Sequence, residues 1–197
     1  MNASASLPPL YAGWVDQLLD GPIPAETNAT CHDCAMLLTE GERRTPLAES
    51  EYNPDTKCCT YLPELWNFLV GGVLLESHAD AERGRATVEA RIDRGAQVTP
   101  LGLGKSRTFG LLYKTGGADT FGQSRHMRCP HYLHDEGGLC GVWRNRESTC
   151  ATWFCKHLRG AVGQTFWSHL HQLLRTAERT LAGWALVQLG LDGSSLD

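Results

Sequence analysis

The stretch TFWSHLHQLLRTAERTLAGWALVQL, residues 165–189, decides the fold class. Phe166, Leu170, Leu173, Leu174, Ala177, Leu181, Trp184 and Ala185 fall on one face of a helix with 3.6 residues per turn. Gly190 is a natural stop, so a long C-terminal helix is expected over 165–190. Working outward, the same logic finds three further helices. Ala79 to Arg94 is strongly charged but carries Ala86, Val88, Ala90 and Ile92, and Gly95 ends it. Leu65 to Leu75 is an apolar run opened by Pro63 and reads as a buried helix despite Gly71 and Gly72. Leu10 to Leu19 is amphipathic, preceded by Pro8 and Pro9 and stopped by Gly21 and Pro22. Between them lie turn-rich segments: Glu40 to Pro54 as a loop, Thr99 to Phe121 as short strands or irregular loops, and Cys129 to Cys155 without a clear period.

No internal repeat and no linker interrupts the chain, and its 197 residues suit one domain. The expected fold is mainly α: a compact, irregular helical domain spanning 1–197, with cysteine-bearing loops around a metal centre. A chain of this length buries roughly 70% of its extended surface, so it needs no covalent staples. No apolar run reaches the length of a membrane span. Met1 to Leu10 has neither a basic residue nor a long apolar core, unlike a secretory signal. The reading is cytoplasmic.

That placement bears on the eight cysteines. Thiols in the cytoplasm are kept reduced, so an even cysteine count there points to metal or redox chemistry rather than disulfides. The cysteines form two groups, Cys31, Cys34, Cys58 and Cys59, then Cys129, Cys140, Cys150 and Cys155. Cys31-His-Asp-Cys34 lets the chain turn so that both sulfurs face one centre, a pattern shared by zinc, iron–sulfur and redox sites. No βαβ pattern surrounds it, which argues against a thioredoxin-type pair. Cys58-Cys59 places neighbouring side chains on opposite sides of an extended chain. Either a turned backbone brings both to one centre, or each serves its own. Asn53-Pro54-Asp55 supplies turn chemistry just before the pair.

All eight cysteines are therefore expected ligands. The second group lacks the paired short spacing of a structural zinc site. Ligands scattered over separate loops suit one or two [4Fe–4S] clusters better, although neither common ferredoxin spacing is present. Zinc is the alternative metal. The functional expectation is an iron–sulfur protein acting in redox or cluster-based chemistry. A structural zinc-binding interaction module is one alternative, and a small cluster-dependent enzyme of methyl transfer or sulfur handling another.

The net charge of −4 says little, but its distribution says more. Residues 105–159 hold nine Lys or Arg against four acids, giving that segment +5 and the rest −9. Positive charge near thiolates offsets their own charge and lowers their pKa. It also fits an anionic substrate or a redox partner, small molecule or protein. The overall acidity argues against nucleic acid. His126, His131, His134 and His157 lie near the second group as possible ligands or sulfur hydrogen-bond donors, with an ordinary surface position the simpler reading for each. Trp153 and Phe154, beside Cys155, are expected to fill core, or else to shield a cluster from water. Gly102-Leu103-Gly104-Lys105-Ser106 lacks phosphate-loop spacing and reads as a flexible loop.

Taken in order, these cysteines resemble the Cys-x-x-Cys-x-x-Cys-Cys family of zinc- or iron-chelating cysteine-cluster proteins (YkgJ-like). Cys31 and Cys34 match its first pair, and Cys58-Cys59 its second. Cys129-Pro130, Gly138-Leu139-Cys140-Gly141-Val142-Trp143 and Arg146-Glu147-Ser148-Thr149-Cys150 match its later features, and Cys155 its last cysteine. The chain departs from the family in having 23 residues between the pairs, and in Glu147 where a proline usually follows the arginine. The resemblance implies metal chelation by these cysteines. A similar domain in flagellin lysine N-methylases implies the methyl-transfer alternative.

Overall fold

The computed structural model describes residues 7–18, 31–37, 52–78, 81–117 and 119–191. Most of the expected Glu40–Pro54 loop, the end of the first expected helix and the tail after Leu191 lie outside them. Among the described residues there are six α-helices and five two-residue strands. In chain order they are α1 (Pro9–Leu18), β1 (Leu65–Trp66), α2 (Asn67–Leu75), α3 (Ala81–Asp93), β2 (Val98–Thr99), β3 (Gly102–Leu103), α4 (Arg107–Leu112), β4 (Tyr132–Leu133), β5 (Leu139–Cys140), α5 (Ser148–Thr152) and α6 (Gly160–Gln188). The helical reading holds. No described helix is long and apolar enough to cross a membrane.

Helix α6 is the spine. Its buried face is Gly163, Trp167, Leu170, Leu174, Glu178, Ala182 and Leu186, rotated from the face read in the sequence. Leu173 and Trp184, expected inside, are exposed. The face turns because a charged residue, Glu178, belongs to it. Against this face pack Tyr11, Ala12 and Val15 of α1, Leu69 of α2, Ala151 of α5, and Phe154. Each fully buried aliphatic side chain contributes roughly 1.5–3 kcal/mol.

A second apolar cluster joins Leu65, Val73, Val88, Leu103 and Val142, with Cys140 packed on its edge. It forms where α2 and α3 meet the small antiparallel sheet ordered β1-β3-β2. The apolar run at 65–75 is thus a strand and then a helix. Asn67 marks the change: its backbone N–H bonds to Leu101 O, and its amide donates to Pro100 O and Ala182 O. The glycine pair after Pro100 is likewise structured rather than flexible. Gly102 sits in the central strand at φ 133°, where a Cβ would lie 2.0 Å from Leu65 O.

Helix α3 buries Ala81, Gly84, Val88 and Arg91, while Ala86 and Ala90 face solvent. Gly84 is the closest approach. A Cβ there would lie 1.8 Å from Gly141 O, so the bare backbone lets α3 press on the chain just past Cys140.

Candidate functional site

The second cysteine pair is built by a chain of turns. Asn53 Oδ1 accepts the N–H of Asp55, and Asn53 O accepts those of Thr56 and Lys57. Lys57 follows with φ 49°, in the left-handed region that few non-glycine residues occupy. Cys59 N–H then bonds back to Thr56 O. The backbone is turned throughout, and Cys58 and Cys59 both face one cavity. The turn is anchored by Thr56 and Thr60, both fully buried, which bond to the carbonyl and N–H of Gly122.

Lys57 itself is buried. Its Nζ donates to the carbonyl oxygens of Cys31, Gly137 (2.9 Å) and Gly138 (3.0 Å). One ammonium therefore ties the Cys31–Cys34 loop to the turn that leads into Cys140. Strand β5 places Cys140 opposite Tyr132 of β4, and Cys129 N–H bonds to Cys59 O at 2.7 Å. Glu147 opens α5, its carboxylate accepting the N–H groups of Thr149 and Cys150. Glu178 fastens α5 to α6: it accepts Ser148 N–H and Ser148 Oγ–H, both at 2.6 Å, and the hydroxyl of Tyr11.

These elements gather all eight cysteines around a single cavity of about 440 Å³, a size typical of cofactor sites. All eight thiols are free. Among the described residues, no three Cys, His, Asp or Glu side chains group closely enough to hold one metal ion. The rest of the wall is mainly aromatic, including Tyr61, Tyr113, Phe121, Trp143, Trp153 and Phe154. Phe154 belongs to the core, as expected, but Trp153 is 56% exposed and stands between cavity and solvent.

Two cations sit in this wall, Lys57 and Arg146. Arg146 is 8% exposed, its guanidinium lies 3.4 Å from the Trp143 ring centroid, and its buried Nε–H has no partner among the described residues. Burial pushes the Cys31 and Cys129 thiols up to about 12, and neighbouring cysteine charges add to this. Burial, followed by the charge of Glu147, also pushes Cys150 well above the ordinary thiol value. Cys58 is the exception. A hydrogen bond from Cys59 holds it below the ordinary thiol value against burial, helped by Arg146 and Lys57. Cys155 Sγ donates to Tyr52 Oη at 3.4 Å.

The histidines divide. His131 is buried rather than at the surface, and both its nitrogens are engaged. Nδ1 donates to Thr87 Oγ1 (2.7 Å), whose own hydrogen goes to Gly84 O, and Nε2 accepts from Arg91 Nη1 (3.0 Å). Burial and Arg91 drive its pKa down to about 3, so it is a neutral strut in the cavity wall. His126 and His134 are exposed, and His134 lies near Asp55. His157 packs edge-on to Phe154.

Cysteine spacing and composition pointed to none of Lys57, Tyr52 or Glu178. The sequence signals for the cations were the position of Lys57 beside the Cys-Cys pair, and for Arg146 its place in the basic segment and in the arginine-to-cysteine run of the resembled family. No family model matches the chain, and no curated protein or solved structure matches it.

Proposed function

We propose that this protein is an iron–sulfur protein whose eight cysteines, Cys31, Cys34, Cys58, Cys59, Cys129, Cys140, Cys150 and Cys155, hold [4Fe–4S]-type cluster material for redox chemistry. One observation carries the reading: free thiols from distant parts of the chain line one largely apolar cavity that also contains two buried cations. A zinc ion, with Zn–S bonds of about 2.3 Å, draws its sulfurs tightly around one point. Thiols spread around a wider space suit a polynuclear cluster. Thiolate ligation adds negative charge, and Lys57 and Arg146 stand where that charge would be offset.

The donor chemistry fits. Every thiol but Cys58 has its pKa raised above the ordinary value, and metal binding would release the protons these thiols hold, as thiolate ligation requires. Bound there, a cluster supplies one-electron chemistry. The protein's own residues shape its surroundings. Arg146 Nε–H is a buried donor with no acceptor among the described residues, suited to a sulfur. Tyr52 Oη meets Cys155. Trp143, Phe121 and Phe154 exclude water, and Trp153 links the cavity to the surface. The order of cysteines shared with the zinc- or iron-chelating family is consistent with the same chemistry.

The test is anaerobic purification or reconstitution, followed by iron, zinc and acid-labile sulfide analysis. The protein is expected to be brown, with broad absorption in the blue and iron matched by sulfide. A colourless protein carrying stoichiometric zinc and no sulfide would sink the reading and favour the structural zinc module.

A further inference from the structure

The hydrogen bonds that place the eight cysteines divide them in a way the sequence order hides. Tyr52 organises one side. Its N–H bonds to Met36 O (3.1 Å), within the loop closed by Leu37 N–H on Cys34 O, and its hydroxyl meets Cys155 Sγ. It thereby brings the last cysteine of the chain to the first pair. The other side is built on Cys129. Its N–H bonds to Cys59 O, its carbonyl accepts Tyr132 N–H (3.1 Å), and Tyr132 pairs with Cys140 across β4 and β5.

The charges felt at Cys155 and Cys150 run the same way, while Cys140 feels Cys58 across the two sides. Cys155 feels the charges of Cys58 and Cys34, whereas Cys150 feels those of Cys140 and Cys129 before that of Cys58. Cys31 feels the charge of Cys58 ahead of that of Cys140, and its carbonyl is held by Lys57. Cys58 and Cys59, hydrogen-bonded thiol to thiol, lie where the two sides meet.

We propose that the cavity holds two centres with crossed ligand sets: Cys31, Cys34, Cys58 and Cys155 on the Tyr52 side, and Cys59, Cys129, Cys140 and Cys150 on the Cys129 side. The vicinal pair Cys58-Cys59 gives one thiolate to each and couples them through a single peptide bond. The inference rests on the iron–sulfur reading and adds the number and composition of the centres. With both sets complete, every iron of a cubane has its cysteine, which makes electron storage or transfer the function rather than chemistry at an open iron.

The experiment uses the full chain, reconstituted anaerobically with ferrous iron and sulfide, with iron and sulfide counted per chain and electron paramagnetic resonance of the reduced protein. The wild type is expected to hold two clusters' worth of iron and to show spin coupling between them. Cys34→Ala or Cys155→Ala is expected to halve the iron and leave one uncoupled signal. Cys129→Ala or Cys140→Ala is expected to halve it and leave the other signal, distinct from the first. The double variant Cys155→Ala/Cys129→Ala should lose nearly all. Circular dichroism identifies any alanine variant that fails to fold, and its Cys→Ser counterpart then takes its place. A wild type saturating at one cluster, or a folded single variant losing all its iron, would overturn the two-centre assignment while leaving the iron–sulfur reading intact. A wild type that takes up no iron and sulfide fails the reading itself.

Discussion

Lys57 concentrates the local energetics of the site. Its left-handed backbone turns Cys58 and Cys59 toward the cavity, and its buried Nζ satisfies the carbonyls of Cys31, Gly137 and Gly138. Hydrogen bonds to a charged group contribute about 1.5–3 kcal/mol each, and stranded buried carbonyls carry their own cost. Lys57→Met keeps the length of the stem and removes all three bonds. It is expected to lower unfolding free energy by about 3 kcal/mol or more in urea melts, and to lower iron retention by releasing the Cys31–Cys34 loop. Unchanged stability together with unchanged iron would show that the loop is held by other means. At this scale the ligand candidates were legible, because cysteine carries its chemistry in its name. Lys57 was not, because a lysine in sequence reads as solvated charge. Only the convergence of three carbonyls from residues 31, 137 and 138 makes it a structural cation.

Among the elements, the α5–α6 contact depends on Glu178. This carboxylate is 1% exposed and takes three donors from Ser148 and Tyr11. Burial raises its pKa above the ordinary carboxylate value, with Glu147 adding to the rise and its hydrogen bonds opposing it. The sign follows. Glu178's favourable contribution is fully present below the unfolded-state carboxylate pKa, and it is lost as pH rises through the raised native value. Glu178→Gln mimics the protonated form, because the amide oxygen still accepts and the NH₂ donates to Ser148 Oγ. In urea melts the variant and wild type are expected to match near pH 4, with the variant gaining relative to wild type toward pH 8. Parallel curves would remove this account. Glu178→Leu strands three donors and is expected to cost about 3 kcal/mol or more near pH 4, at about 1–3 kcal/mol per donor, and less toward pH 8 as the wild type loses its own contribution. The same residue explains what the sequence hid. The helix over 165–190 was legible from its period and its glycine stop, but its face was read from apolar residues alone. Glu178 shifts that face toward Trp167, Ala182 and Leu186 and leaves Trp184 outside. In α3, Arg91 does the same, being buried against His131 and Gly104 O.

Across the whole molecule, the cavity lies between two apolar clusters. Phe154 and Ala151 belong to the one built on α6, while Val142 and the neighbouring Cys140 belong to the one around Val73 and Val88. That convergence was not legible, because spacing along a chain does not encode which distant loops close on one another. Hydrogen bonds such as Cys129 N–H to Cys59 O do that here. The arrangement makes cavity contents a stability term. Among the described residues, the segments carrying Cys31 to Cys34, Cys58-Cys59 and Cys129 to Cys155 are linked by hydrogen bonds such as Cys129 N–H to Cys59 O and by Lys57. A ligand bound to all of them therefore joins both clusters. Anything that binds the native state and not the unfolded chain stabilises by RT ln(1 + [L]/Kd), about 2.7 kcal/mol at a hundredfold excess over Kd. For a chain of this size each kcal/mol moves the melting midpoint by roughly 2–4 °C. The loaded protein is therefore expected to melt roughly 5–10 °C above the metal-free protein. Prior chelation with loss of visible absorbance should remove that gain, and re-loading should restore it. Far-ultraviolet circular dichroism should stay largely helical in both forms, since α1, α2 and α6 pack without the thiols. Equal midpoints with and without bound iron would mean that the cysteine loops are held by the protein alone, and that the cavity serves a ligand whose binding does not bridge the two clusters.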